Sequence, residues 1–423
     1  MKPPRLVHLL LIGCAVALPA AACAQEAPLG RDVEGLLAWA RAHSPELAAM
    51  RHEADAAAER VVPAGALPDP RFRTELRDIT RMGEQSPALL PARTGSTRYL
   101  LMQDLPWAGK RDLKQAAAEQ DARSANGRTD ATWADLSARI KITWTQLHYV
   151  HQSTRLTREL LDLGGRIGQI AQVRYAGGLA PQQDAIRAQV ELTGLQADLV
   201  ALDNEGRQLQ VRLNALLARP SAAPLAAAER LRPLPAPARL DPAALEDRLR
   251  ARNPQLFADE ARVAAAERNQ ALTLRNRYPD FTVGISPIQY QNAVREWELM
   301  VELNLPLQQA SRRAQEREAD SLLAAARARR EATAQQALGE LGEALSALDA
   351  ARRTEALATQ SLLPQAELTF RAALAGYETG KVDFTTLLDA QRQIRLARQN
   401  RLKAQTEAQL RLADIERLVG EDL

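Results

Sequence analysis

Two periodicities divide this chain. Over most of its length apolar residues recur every three or four positions, as on one face of an α-helix. In four short stretches they recur every second position, as on one side of a β-strand. In Arg71–Arg77, the residues Phe72, Thr74 and Leu76 oppose Arg71, Arg73, Glu75 and Arg77. After a polar loop over roughly 82–96, Tyr99, Leu101, Leu105 and Trp107 alternate with Arg98, Leu100, Met102 and Asp104. Further on, Phe281, Val283 and Ile285 oppose Asp280, Thr282 and Ser286, and Trp297, Leu299, Val301, Leu303 and Leu305 oppose Glu296, Glu298, Met300, Glu302 and Asn304. The pattern predicts two β-hairpins, about 70–107 and 279–306, each with one dry and one wet side.

A long helical pattern follows each hairpin, over roughly 108–176 and 308–377. Trp133, Leu136, Ile140, Trp144 and Leu147, then Leu156, Leu160, Leu163, Ile167 and Ile170, step by three and four, the seam of coiled-coil packing. At ~1.5 Å per residue, roughly 65 residues make a rod of about 100 Å, far beyond a globular helix. Shorter helices return over 182–218 and 383–421, and others precede the hairpins over 32–62, with a Ser44-Pro45 cap, and over 241–276. Pro220, Pro224, Pro233, Pro235, Pro237 and Pro242 interrupt the middle, so 219–240 reads as a linker between a first half, 25–218, and a second, 241–423.

The halves are copies. Tyr175-Ala-Gly-Gly178 aligns with Tyr377-Glu-Thr-Gly380 at a shift of 202, which continues from Leu213 to Ile415 and from Leu216 to Leu418. Arg41-Ala-His-Ser-Pro-Glu-Leu47 returns as Arg250-Ala-Arg-Asn-Pro-Gln-Leu256. Each Tyr-x-x-Gly lies at a tip between a rod and its returning helix, where Gly178 and Gly380 suit a left-handed helix cap.

Residues 1–24 have the form of a signal peptide: a basic start at Met1–Arg5, an apolar run from Leu6 to Leu18, and Ala22-Cys23-Ala24 for cleavage. A competing reading makes Cys23 or Cys14 a lipidated N-terminus. No cysteine follows Cys23, so an exported chain would rest on packing without disulfides. No later stretch has the roughly 20 apolar residues of a membrane helix, so any crossing would use strands. Closed membrane barrels need about eight strands or more, so four strands would have to be shared among several chains. Seven of the sixteen aromatics lie in or beside the strands (Phe72, Tyr99, Trp107, Tyr278, Phe281, Tyr290 and Trp297), which suits an interfacial girdle. A soluble sheet packed on helices is the alternative. The net charge of +3 is interspersed rather than blocked, which disfavours a nucleic-acid surface.

The signal peptide, the duplicated helix–hairpin–rod–tip–helix order, the Ser-Pro-Glu-Leu and Asn-Pro-Gln-Leu starts and the Tyr-x-x-Gly tips together resemble the TolC family of outer-membrane efflux ducts. Gln103-Asp-Leu-Pro-Trp-Ala-Gly-Lys-Arg111 and the compact length look most like its heavy-metal branch. The resemblance implies a mainly α protein with membrane β: a homotrimer with a twelve-stranded barrel in outer-membrane lipid and a periplasmic α-barrel. It further implies a periplasmic adaptor and an inner-membrane pump of the resistance-nodulation-division type. At the pore-tip constriction the family's pattern matches Tyr377 and Asp389, with Lys381 and Asp383 as adjacent substitutes and Thr386 in an acid's place, and it implies adaptor docking at Arg174, Tyr175, Gly178, Gly380 and Lys381. Val382 stands where the family has a basic residue and Thr386 where it has an acid, so the usual ion links between helices are in question.

No cofactor, metal site or enzymatic activity is expected. The chain lacks a phosphate loop, His-Glu-x-x-His and Cys-x-x-Cys. His148 and His151 have the i, i+3 spacing of metal ligands, but a site needs three or four donors, and packing histidines explain the pair. Besides a metal duct, drug efflux, type I protein secretion and a periplasmic coiled-coil scaffold remain open.

Overall fold

The computed structural model describes residues 29–228 and 230–423, so the expected signal peptide, Cys14 and Cys23 lie outside the described residues. Two short helices, α1 (Val33–His43) and α2 (Pro45–Glu59), open the chain, followed by one further turn, α3 (Val61–Gly65). Ser44 caps α2 by accepting the Leu47 N–H at 3.3 Å. The same device recurs between α6 (Pro242–Arg252) and α7 (Pro254–Arg275), where Asn253 accepts the Leu256 N–H at 2.9 Å. Proline at the first helical position loses nothing, because its missing N–H would have been unpaired there.

The four strands are β1 (Arg71–Arg77), β2 (Ser96–Leu105), β3 (Phe281–Tyr290) and β4 (Ala293–Leu303). They form one antiparallel sheet in the order β1-β2-β3-β4, leaving one edge each of β1 and β4 unpaired. The register sets Phe72 beside Leu101, Leu101 beside Ile285, and Ile285 beside Leu299, so the apolar positions share one side. That side is bare: Phe72 is 66% exposed, Trp297 69% and Leu299 79%. The enclosed side is the mixed one, where Leu100 and Met102 are buried and Arg98 donates from Nε to Ser286 Oγ at 2.8 Å and pairs with Glu298 at 2.7 Å. A soluble sheet resting on helices would hide its apolar side. Here that side turns outward and the charges inward, the arrangement of a strand between lipid and a wet lumen. Among the described residues no helix is long and apolar enough to cross a membrane.

The rod α4 (Lys110–Ala176) runs unbroken for 67 residues. Its seam is buried where the periodicity places it: Leu136, Ile140, Trp144 and Leu147 pack with α1 and with the returning helix α5 (Gln182–Leu216), and Ile167 joins the tip core. The second rod differs from its expected continuous form. It consists of α8 (Gln309–Leu357), one π-turn over Ala358–Leu362, and α9 (Leu363–Glu378). Pro364 supplies the reason. With no N–H, and with a ring that crowds the preceding turn, it does not fit a regular interior, and the wider turn, closed from Leu363 N–H to Ala358 O, absorbs the misfit. The returning helix α10 (Phe384–Val419) completes the chain.

Midway along the rods, Lys141 of α4 pairs at 2.7 Å with the buried Glu416 of α10, which Arg232 of the linker also holds at 2.9 Å. A buried carboxylate between two cations keeps its charge matched, and it fixes the linker and the C-terminal helix to the first rod. His148 belongs to the same packing: its Nδ1 lies 3.0 Å from Ala228 O of the linker, and burial pushes its pKa down.

Candidate functional site

The tips are the ends of the rods farthest from the sheet. At the first, α4 ends at Ala176, and the Leu179 N–H reaches Arg174 O at 2.8 Å while the Gly178 N–H reaches Tyr175 O at 3.0 Å. At the second, the Lys381 N–H reaches Gly376 O at 2.8 Å and the Gly380 N–H reaches Tyr377 O at 3.1 Å. Both are Schellman caps, and Gly178 (φ 69) and Gly380 (φ 74) hold the left-handed position the motif requires. The duplicated Tyr-x-x-Gly is therefore a helix stop first.

The side chains then part company. Tyr175 is 45% exposed, while Tyr377 is 2% exposed. The Tyr377 ring lies 5.4 Å from that of Phe384, which opens α10, and the Arg174 guanidinium sits 5.0 Å above it. Arg174 also donates to Glu378 O at 2.9 Å and to Leu179 O at 3.3 Å, so one side chain of the first tip clamps the second. Beneath lies Asp184, buried in the first turn of α5. Burial pushes its carboxyl above the usual range, against the pull of Arg187 and the Tyr377 hydroxyl. Burial first and the Asp184 charge second push the Tyr377 phenol up in turn, and its oxygen makes no hydrogen bond of good geometry. Val382, where a basic residue was expected, packs onto Gly376: a Cβ added there would come within 2.5 Å of the Val382 side chain. At this point the turn is held by apolar contact rather than by an ion pair.

Of the sequence-predicted constriction residues, Tyr377 is internal, and Lys381, Asp383, Thr386 and Asp389 are exposed. Asp383 caps α10, accepting the Thr386 N–H at 2.9 Å and the Thr386 hydroxyl at 2.5 Å; these two hydrogen bonds hold its carboxyl below the usual range. Asp389 lies 3.8 Å from Arg392. Of the docking residues, Tyr175, Gly178, Gly380 and Lys381 are exposed, whereas Arg174 is committed to the clamp. Sequence reading missed the cross-braces. Arg187 donates to Thr385 Oγ1 at 2.6 Å, Arg392 pairs with Glu191 at 3.1 Å, and Arg398 with Glu159 at 3.4 Å, each tying α10 to α5 or α4. Among the described residues no cluster of three or more His, Cys, Asp or Glu is placed to hold a metal ion.

Comparison with known proteins agrees with this geometry. The family described as Outer membrane efflux protein matches residues 36–219 and 245–421. The cobalt-zinc-cadmium resistance protein CzcC of Cupriavidus metallidurans is 25% identical over 395 residues, spanning 92% of this chain and 90% of that protein. The outer membrane protein VceC of Vibrio cholerae superposes with a TM-score of 0.79 at 17% identity, over 92% of this chain and 96% of that one. CusC superposes with a TM-score of 0.79 at 17% identity, over 92% of both chains. With its bare apolar sheet, its paired rods and its duplicated tips, the chain belongs to the outer membrane efflux protein family, the TolC-type channels of the outer membrane whose helical barrel stands in the periplasm.

Proposed function

We propose that this chain is the passive exit duct of a tripartite efflux system that expels divalent heavy-metal cations. The observation that carries the reading is the nearly end-to-end similarity to a protein named for cobalt, zinc and cadmium resistance. Three copies, joined through the free edges of β1 and β4, would close a twelve-stranded barrel, and a periplasmic adaptor would link the tips to an inner-membrane pump of the resistance-nodulation-division type. The adaptor meets Tyr175, Gly178, Gly380 and Lys381, with Arg174 holding the tips in register.

In the closed tip the second hairpin is held to the first by the Arg174 clamp and by the Arg187, Arg392 and Arg398 braces. In a trimer, exposed Asp383 and Asp389, with Lys381 and Thr386 beside them, would ring the entrance with carboxylates, which favours cations there. Opening requires Tyr377 to leave its pocket and the braces to break together. A periplasmic scaffold without a pore is disfavoured by the outward apolar side of the sheet.

Deleting the gene in its host and challenging with cobalt, zinc and cadmium beside a panel of drugs tests the cargo. Loss of metal tolerance is expected. Unchanged metal tolerance with new drug sensitivity would move the protein to drug export.

A further inference from the structure

We propose that the loop over residues 78–95 is a lipid anchor: it folds against the outward side of the sheet, beside the short strand β1, and seats Leu89 and Leu90 in the outer leaflet. This rests on the outer-membrane placement and not on the cargo.

The loop joins β1 to β2 at the end of the sheet away from the rods. It is fixed rather than slack. The Gly95 N–H donates to Asp78 O at 2.9 Å and closes its ends, the Ala88 N–H donates to Ile79 O at 2.9 Å, and the Asp78 carboxylate takes the Met82 N–H at 2.7 Å. Asp78, Arg81 and Met82 hold positive φ (52, 49 and 59), a backbone kept only where surrounding bonds over-determine it.

The register shows which side it covers. Thr97 pairs with Leu76 and so projects on the apolar side with Phe72 and Thr74. Its hydroxyl lies 3.2 Å from that of Thr94 in the loop, and both threonines are buried. The loop therefore wraps to the lipid side and not into the lumen. β1 also stops early, with 7 residues against 10, 10 and 11 in the other strands, while a tilted membrane strand needs about 9–11. On its own surface the loop exposes Leu89 at 75% and Leu90 at 62%, five and four residues before Thr94. In water these side chains gain nothing, whereas in hydrocarbon their apolar surface is removed from water. Because Thr94 meets Thr97 on the lipid-facing side, lipid rather than a neighbouring copy is the occupant.

The test is spin-label accessibility on the assembled protein in phospholipid vesicles. No cysteine follows Cys23, so removal or lipidation of that residue leaves no competing thiol. Labels go on Leu90→Cys, on Leu299→Cys as a strand-face control, and on Asp203→Cys of α5 as an aqueous control. The expected result is that Leu90→Cys, like Leu299→Cys, collides with oxygen in preference to a nickel chelate by about threefold more than Asp203→Cys does. Behaviour like the aqueous control overturns the anchor, as does a label shielded from both reagents and broadened by its copies, which would mean that a neighbouring subunit covers the loop. An aqueous result at Leu299→Cys would instead overturn the membrane placement of the sheet. If Leu90→Cys does not assemble, Leu89→Cys carries the same reading.

Discussion

The two tips share a backbone and differ in what the backbone carries. At a shift of 202 positions Tyr175 corresponds to Tyr377, Gly178 to Gly380, Arg174 to Gly376, Asp184 to Thr386 and Arg187 to Asp389. The caps share the same two Schellman bonds, yet at the turn itself the first tip supplies the Arg174 guanidinium and the buried Asp184, and the second supplies a carbonyl acceptor and a ring to be covered, while the braces beyond run both ways. Duplication provided two equal ends, and their divergence made them complementary. The pair locks because it is no longer symmetric.

The comparison breaks most visibly at the tyrosines. Tyr377→Ala should cost the tip about 3–5 kcal/mol, as for other buried rings, whereas Tyr175→Ala should stay within about 0.5 kcal/mol. Hydrogen exchange of the amides around Gly376–Lys381 reads the difference, and equal effects would mean that the buried ring holds nothing. The clamp comes next. Arg174→Ala removes a cation–π contact and a hydrogen bond to a carbonyl, together about 1–3 kcal/mol, and should raise the open-tip conductance in planar bilayers. Arg174→Lys should restore only part of this, because an ammonium has no planar fork to lie over the ring while donating beyond it.

The glycines give smaller and graded effects. Gly178→Ala places a Cβ in open space, so its cost is the left-handed backbone alone, about 1 kcal/mol. Gly380→Ala adds contact with Arg174 Nη2 at 3.3 Å and should cost more than Gly178→Ala in the same exchange measurement. Smallest is the response to pH. Burial raises the pKa of Asp184, so the charged form weakens the closed tip, and the stability gained on protonation is lost as pH rises through that raised value. Asp383 has the opposite sign: its capping is present above the ordinary carboxylate range and is lost as pH falls through its depressed value. Acidifying from neutral pH therefore meets Asp184 first and should lower conductance, and Asp184→Asn should flatten that limb of the profile.

Much of this architecture was legible before any coordinates. Strands declare themselves because alternate side chains must meet different solvents, and Leu299 beside Glu298 already shows it. The caps were legible because a second copy of Tyr-x-x-Gly marks the same stop twice. The clamp was not: Arg174 meets Glu378 across 204 positions, and Arg187 meets Thr385 across 198, so no local pattern records either bond. Nor does the π-turn follow from periodicity, since Pro364 signals a misfit without saying whether the helix kinks, ends or widens.

The unpaired margins of β1 and β4 govern how the protein is made. A solitary subunit carries a bare greasy plane that does not suit water and two rows of unanswered peptide groups that do not suit hydrocarbon. Both demands are met only when the edges pair with those of sibling subunits and the apolar side meets lipid, so edge pairing and insertion are coupled. One defective margin in a mixed population would spoil rings built largely from sound chains.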